Sequence, residues 1–397
     1  MAARVLAEVF TPEEVERARR YHRPGYVALA VDLALGLGVL TALALGAPGD
    51  RLLAAVAGLP WWAGTLASTG LVVGTLWAVR LPLAFWRGYL HERRWGFSTQ
   101  TPAAWFLDRL KGLGVAMVLD GLLLLGLAAA ARAFPGAWPA AAAPGAALAV
   151  LALTFAGPVL LEPIFNRFAP LTDEELAGEL RALAERAGVP VREVLVADAS
   201  RRTRKENAYV SGLGRTRRVV LYDTLLRRGD RPLIRLVVAH ELGHRRARHV
   251  ARGTVLGMAG AAAGILVLWA LFSSPAVRVA VGASGPGEPR AVPFVLLVGR
   301  VLGLLGAPLG AALSRRWETE ADRSSLELTG DHGTFERSQR ELALANLADL
   351  APPRLLYLWA FTHPTPPERI ANARRWAAGG PREDEILGVR REDHGAA

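Results

Sequence analysis

The stretch VVAHELGHRRARH (Val237–His249) passes without a break into the apolar run VARGTVLGMAGAAAGILVLWALF (Val250–Phe272). At 3.6 residues per turn, His240 and His244 stack on one helix face and Glu241 projects at its edge. Two histidines four apart with a glutamate after the first make the HExxH arrangement, in which two imidazoles bind a metal and the carboxylate serves as a base. The bland alternative is a solvated polar helix face, and His249 shows that a nearby histidine need not be a ligand. The apolar continuation decides where the motif sits. A helix carrying HExxH is expected to run directly into a membrane span.

The rest of the chain agrees with a membrane setting. Of 397 residues, 52% are hydrophobic, and six runs near 26–46, 62–86, 115–133, 142–162, 252–272 and 292–313 are long enough to cross about 30 Å of hydrocarbon as helix. A soluble protein with buried helices is the competing reading, and it does not call for so many runs of this length. Residues 1–25 mix acids and arginines and lack the apolar core of a signal peptide. Thr11-Pro12-Glu-Glu there reads as the N-cap of an amphipathic helix.

Charge sets an orientation. Five arginines precede the first span (Arg4, Arg17, Arg19, Arg20, Arg23), Arg51 alone follows it, five basic residues occupy 87–114, and Arg132 stands alone in the next loop. The alternation continues to the C-terminus. By the positive-inside rule both termini and both long hydrophilic segments are cytoplasmic. The net charge of +11 therefore reads as topology, and no nucleic-acid-binding motif is present. With no cysteine, disulfides and lipidated thiols are excluded, and any zinc must be held by His, Asp or Glu.

Four segments follow: 1–162 (amphipathic start and spans 1–4), 163–251 (hydrophilic, with HExxH), 252–313 (spans 5–6) and 314–397 (hydrophilic). In the second, Asp173-Glu-Glu starts a helix ending at Gly188, Val191–Ala197 and Arg218–Tyr222 read as a small sheet or hairpin, and Asp230-Arg-Pro232 opens the motif helix. In the fourth, Ser314–Leu328 continues span 6, another helix follows Gly330, and the charged last 20 residues are expected to fray.

Catalytic zinc needs a third protein ligand. In Arg315-Arg-Trp-Glu-Thr-Glu-Ala-Asp322, Glu318 and Asp322 share a helix face, so Glu318 can ligate while Asp322 reaches a histidine N–H. Glu320 points about 200° away. An acidic helix reads equally well as solvated surface, so the residues alone leave Glu318 open. Inside the spans, Asp32, Arg80 and Asp120 share one depth, with Arg300 nearer the middle. Charges of both signs at one level predict an ion-pair network around a wet chamber.

These residues resemble the integral-membrane zinc proteases of the CAAX prenyl protease 1 type, with the HtpX proteases more distant. The resemblance rests on His240-Glu-Leu-Gly-His244, Ser314–Asp322, Glu206-Asn-Ala-Tyr209, Arg218–Leu225, Pro163–Pro170, Gly96-Phe-Ser98 with Asp108, and His363-Pro-Thr-Pro-Pro-Glu-Arg-Ile370. It spans nearly the whole chain in order. It implies a mainly α, polytopic helical bundle around a chamber, with a cytoplasmic zincin-like protease part holding a small sheet. It implies one zinc on His240, His244 and Glu318, Glu241 as the base, and Asp322 behind a histidine. Asn207, Ala208 and Tyr209 would lie on the edge strand that pairs with substrate. His363 and Arg369 would approach the scissile carbonyl, although a histidine in a proline-rich loop is by itself ordinary surface. Eukaryotic members have seven spans against the six counted here.

The implied partners are a peptide or protein substrate, prenylated or merely membrane-associated, and the lipid bilayer. The composition, rich in Ala, Arg and Gly, is that of a high-GC bacterium and points to a bacterial inner membrane, where a broader quality-control protease is the alternative. A zinc-stabilised, non-catalytic scaffold or transporter is the rival of another class.

Overall fold

The structure, a computed structural model, describes residues 1–212 and 217–379. The charged tail beyond Gly379 lies outside the described residues.

Six helices are long and apolar enough to cross a membrane. In chain order the helices used here are α1 (Ala2–Val9), α2 (Pro12–Leu45), α3 (Trp61–Phe85), α4 (Pro102–Ala133), α5 (Trp138–Ala156), α6 (Glu174–Arg186), α7 (Arg231–Arg246), α8 (His249–Ser273), α9 (Val292–Thr329), α10 (His332–Ala345), α11 (Arg354–Ala360) and α12 (Pro366–Ala377). The spans are α2, α3, α4, α5, α8 and α9, at the six expected places. Thr11 caps α2 in a full capping box with Glu14. The amphipathic start and the first span are one continuous helix. It runs through Pro24, which forgoes only the bond to the carbonyl of solvent-exposed Arg20.

One expectation is corrected. The motif helix does not flow into span 5. It ends at Arg246, and Arg248 takes left-handed backbone, φ 56°, before α8 begins at His249. The two β-branched runs do lie in a small sheet, as neighbours paired parallel and not as a hairpin. Strands β1 (Phe168–Pro170), β2 (Glu193–Ala197), β3 (Ala208–Ser211) and β4 (Arg218–Tyr222) lie in the order β1-β2-β4-β3, with β2 and β4 parallel and β3 returning antiparallel at the edge.

One face of this sheet packs on α6 and α7 through Leu180, Leu183, Val219, Leu221, Leu233 and Leu242, all fully buried. Burial of side chains of this size stabilises by about 1.5–3 kcal/mol each. Asp173 and Asp230 cap α6 and α7, accepting from the N–H of Leu176 and Leu233 at 2.9 and 3.0 Å.

The membrane helices enclose a cavity of about 1060 Å³ that Asp32, Arg80, Asp120 and Arg300 all line. The expected network is smaller than the shared depth implied. Arg80 grips Asp32 in a two-pronged pair, Nε donating to Oδ1 at 2.7 Å. Among the described residues Asp120 and Arg300 join no ion pair.

Candidate active site

Gly243 brings the two halves of the site together. A Cβ there would stand 3.0 Å from the carbonyl oxygen of Ala321 and 3.0 Å from Cβ of Ser324. Without it, α7 and α9 close to backbone contact, and the carboxylates of α9 reach the imidazoles of α7.

Glu318 sits against both histidines. Its Oε2 is 3.2 Å from His240 Nε2 and its Oε1 is 3.3 Å from His244 Nε2, while the two Nε2 atoms are 3.2 Å apart. The far side of each ring fixes which nitrogen carries hydrogen. His240 Nδ1 is 2.9 Å from Asp322 Oδ1, so Nδ1 donates and Nε2 keeps its lone pair. His244 Nδ1 is 2.9 Å from His249 Nδ1, and His249 Nε2 is 3.0 Å from Glu320 Oε2. Glu320 accepts from His249, His249 accepts from His244, and the His244 Nε2 lone pair also faces inward.

Two lone pairs and a carboxylate thus converge on one point. Glu318 Oε2 is buried with no hydrogen-bond donor aimed at it, and the candidate ligand atoms all lie within 4.8 Å of one another. The set could hold a metal ion, and nitrogen and carboxylate donors three in number suit zinc with one position open. Without a cation, a proton is the alternative. Burial pushes His240 down, but Asp322 and Glu318 outweigh it and hold its pKa at about 9. Burial likewise pushes Glu318 up, and the two histidines bring it well below the ordinary carboxylate range.

Arg369, on α12, donates from Nε to Asp322 Oδ2 at 2.8 Å and from Nη2 to Oδ1. Asp322 is 1% exposed, so its charge is met by His240 and Arg369 together. His363 is exposed, yet its Nε2 comes within 3.3 Å of Glu318 Oε1. Both ends of its loop are tied. Arg315 donates to the carbonyls of Tyr357 and Phe361 at 3.1 and 2.7 Å, and the Tyr357 hydroxyl donates to Glu368 at 2.8 Å. Arg369 therefore touches Asp322 at the site, while His363 alone of the two reaches Glu318.

A cavity of about 370 Å³ is lined by His240, Glu241, Glu318, His363 and Arg369, and on another side by Asn207. Ala208–Ser211 is the edge strand β3. The Tyr222 N–H donates to the Asn207 carbonyl at 3.0 Å, so alternation turns the backbone of Asn207 and Tyr209 toward β4 and that of Ala208 and Val210 to the free edge. Two groups on that edge are already covered. The Asn207 side chain accepts from the Ala208 N–H at 2.9 Å, and Arg245 donates to the Val210 carbonyl.

Sequence reasoning set aside His249 and Glu320, which the structure places behind His244, with His249 stacked on Trp317 at 5.1 Å. It also missed Asn346. That amide accepts from the Glu206 N–H at 3.0 Å and donates to the Glu206 carbonyl at 3.1 Å, holding the approach to β3. The spacing of His249, five after His244, was the available signal for the first. Nothing local marks Asn346.

Residues 170–377 match peptidase family M48. The chain belongs to that family. Residues 2–167 match the CAAX prenyl protease N-terminal region, described as five membrane helices, where this chain has four candidate spans. An uncharacterized metalloprotease of Bacillus subtilis, YhfN, is 31% identical over 299 residues, 75% of this chain and 70% of that one. CAAX prenyl protease 1 of Saccharomyces cerevisiae is 28% identical over 77% of this chain and 71% of its own. The crystal structure of S. mikatae Ste24p superposes with a TM-score of 0.83 at 23% identity, covering 93% of this chain and 91% of that one, a likeness of fold. The M48 member described here is an integral membrane protein with a metalloprotease site.

Proposed function

We propose that this chain is a zinc metalloendopeptidase that cleaves peptide bonds at the cytoplasmic face of a bacterial inner membrane. The observation that carries the reading is the convergence of His240, His244 and Glu318 with Glu241 beside them, at a cavity that also reaches Asn207, just ahead of the edge strand.

Bound at those three residues, zinc supplies a Lewis acid and lowers the pKa of a water. Glu241 takes the proton from the attacking water and hands it to the leaving amine. Asp322 and His249 keep the hydrogens of His240 and His244 on the outer nitrogens. The outward backbone of Ala208 and Val210, flanked by Asn207 and Tyr209, receives an extended peptide as an added strand. His363, at the rim, donates to the carbonyl oxygen as charge develops there. Arg369 acts through Asp322, balancing its charge.

The names of the yeast and other relatives support a prenylated CAAX tail as substrate. A broader membrane-protein substrate range is the second reading, favoured by the bacterial relative, which is called only a metalloprotease. Wild type and Glu241→Gln, purified in detergent, would be assayed for bound zinc and for cleavage of a farnesylated CAAX peptide and its unprenylated twin. The expected result is equal zinc in both proteins and cleavage by wild type alone. The ratio of rates on the two peptides reads recognition of the lipid. A Glu241→Gln protein as active as wild type would return the site to a structural, scaffold role.

A further inference from the structure

Helix α11, Arg354-Leu-Leu-Tyr-Leu-Trp-Ala360, is too short to span a membrane and follows Pro352-Pro353. Its outer face is apolar all the same. Leu355 is 82% exposed and Leu358 44%.

What lies behind it fixes its level. Pro308 sits inside the membrane helix α9 and has no N–H to give the carbonyl of Leu304, four residues earlier. In hydrocarbon such a carbonyl must be satisfied by protein. The Trp359 indole N–H donates to it at 3.1 Å. Arg315, two turns beyond Pro308 on the same stripe of α9, holds the same C-terminal end of α11 through the carbonyls of Tyr357 and Phe361 and lies over the Tyr357 ring at 4.6 Å. So the C-terminal half of α11 is pinned against α9, at Leu304 and at Arg315. The adjoining flank of α9 carries Leu305 and Leu309, 73% and 77% exposed, inside the candidate span Pro289–Thr329.

We propose that α11 is inserted in the bilayer beside α9, its Leu355 and Leu358 facing acyl chains and continuing the lipid-facing surface of Leu305 and Leu309. The occupant of this face is lipid. Trp359 and Tyr357 suit that boundary, with apolar rings and polar tips that find partners. Three residues after α11 ends stands His363, so the loop at the rim of the site emerges directly from the membrane. The inference stands apart from proteolysis, since it concerns only what α11 touches.

The chain has no cysteine, so single cysteines can be placed without background. Leu355→Cys, Leu305→Cys and Arg192→Cys, the last on the exposed hydrophilic part, would each be labelled with an NBD fluorophore in phosphatidylcholine vesicles. Lipid brominated at carbons 6 and 7 of one acyl chain is the quencher. The expected result is quenching at position 355 within twofold of that at 305, with Arg192→Cys unquenched. Quenching at 355 below half that at 305 would overturn the insertion, and cleavage assays on the same proteins would report separately on the protease reading.

Discussion

His249 stands between His244 and Glu320, its Nδ1 2.9 Å from the one and its Nε2 3.0 Å from the other. The turn at Arg248 makes this possible. Left-handed backbone between α7 and α8 folds His249 back beneath the motif helix that a continuous rod would have carried it past. Removing the middle ring in His249→Ala leaves His244 free to turn and to carry its hydrogen on the inner nitrogen. Zinc affinity is expected to fall about 10–100-fold, measured by chelator competition, with the fold retained by circular dichroism.

Gly243→Ala tests the close approach of α7 and α9. The new methyl meets the Ala321 carbonyl oxygen at 3.0 Å, and backbone cannot give way as a side chain would. A stability loss of about 1–3 kcal/mol is expected, read as a lower Tm. Bound zinc should fall with it, because Glu318 moves off with α9.

His240 predicts a pH dependence. Its pKa of about 9 in the folded, metal-free chain stands above the ordinary 6.5. A raised pKa contributes stability fully below 6.5 and loses it as pH rises through about 9. Metal-stripped protein should therefore melt lower at pH 9 than at pH 7. Zinc must displace that same proton, so its affinity should rise about tenfold per pH unit between 7 and 9. A pH-independent affinity would show that His240 is already neutral.

Arg245→Met tests the proposed pairing of a substrate peptide with β3. Arg245 covers the Val210 carbonyl, an outward acceptor on β3. Losing it frees one more hydrogen bond for a peptide. The expected gain in kcat/KM is about 3–10-fold, on the order of one net hydrogen bond, and only for peptides long enough to reach Val210. Short peptides should be unaffected, with zinc content unchanged.

Asp32→Leu strands Arg80 in the membrane cavity, whereas Asp120→Leu breaks no ion pair. Half-buried and beside a wet space, the Asp32–Arg80 pair is worth less than a dry one. A loss of about 1–3 kcal/mol for Asp32→Leu is expected, seen as a lower Tm in detergent, against little change for Asp120→Leu.

The membrane part was readable because length and apolarity alone identify a span, and all six runs became helices in place. The motif spacing pointed to His240 and His244 because helix geometry has a fixed period. Glu318 stayed open until packing at Gly243 joined two helices far apart in sequence. Pairings across long separations left no local trace. The parallel β2 and β4, the His249–Glu320 contact across 71 residues and the Asn346–Glu206 contact across 140 all depend on the assembled fold. The turn at Arg248 was hidden because arginine is a good helix former. Helix α11 was hidden between prolines and too short for any period to show.

Helix α9 carries the exposed Leu305 and Leu309 in its membrane span and Glu318 and Asp322 beyond it. From Val292 to Glu318 is 26 residues, about 39 Å at 1.5 Å per residue. A lever that long turns about 3° of tilt into about 2 Å at the carboxylate. A change in bilayer thickness that tilted α9 would thereby act on the geometry of the candidate metal ligands. Acyl-chain length is then expected to alter how tightly a metal is held.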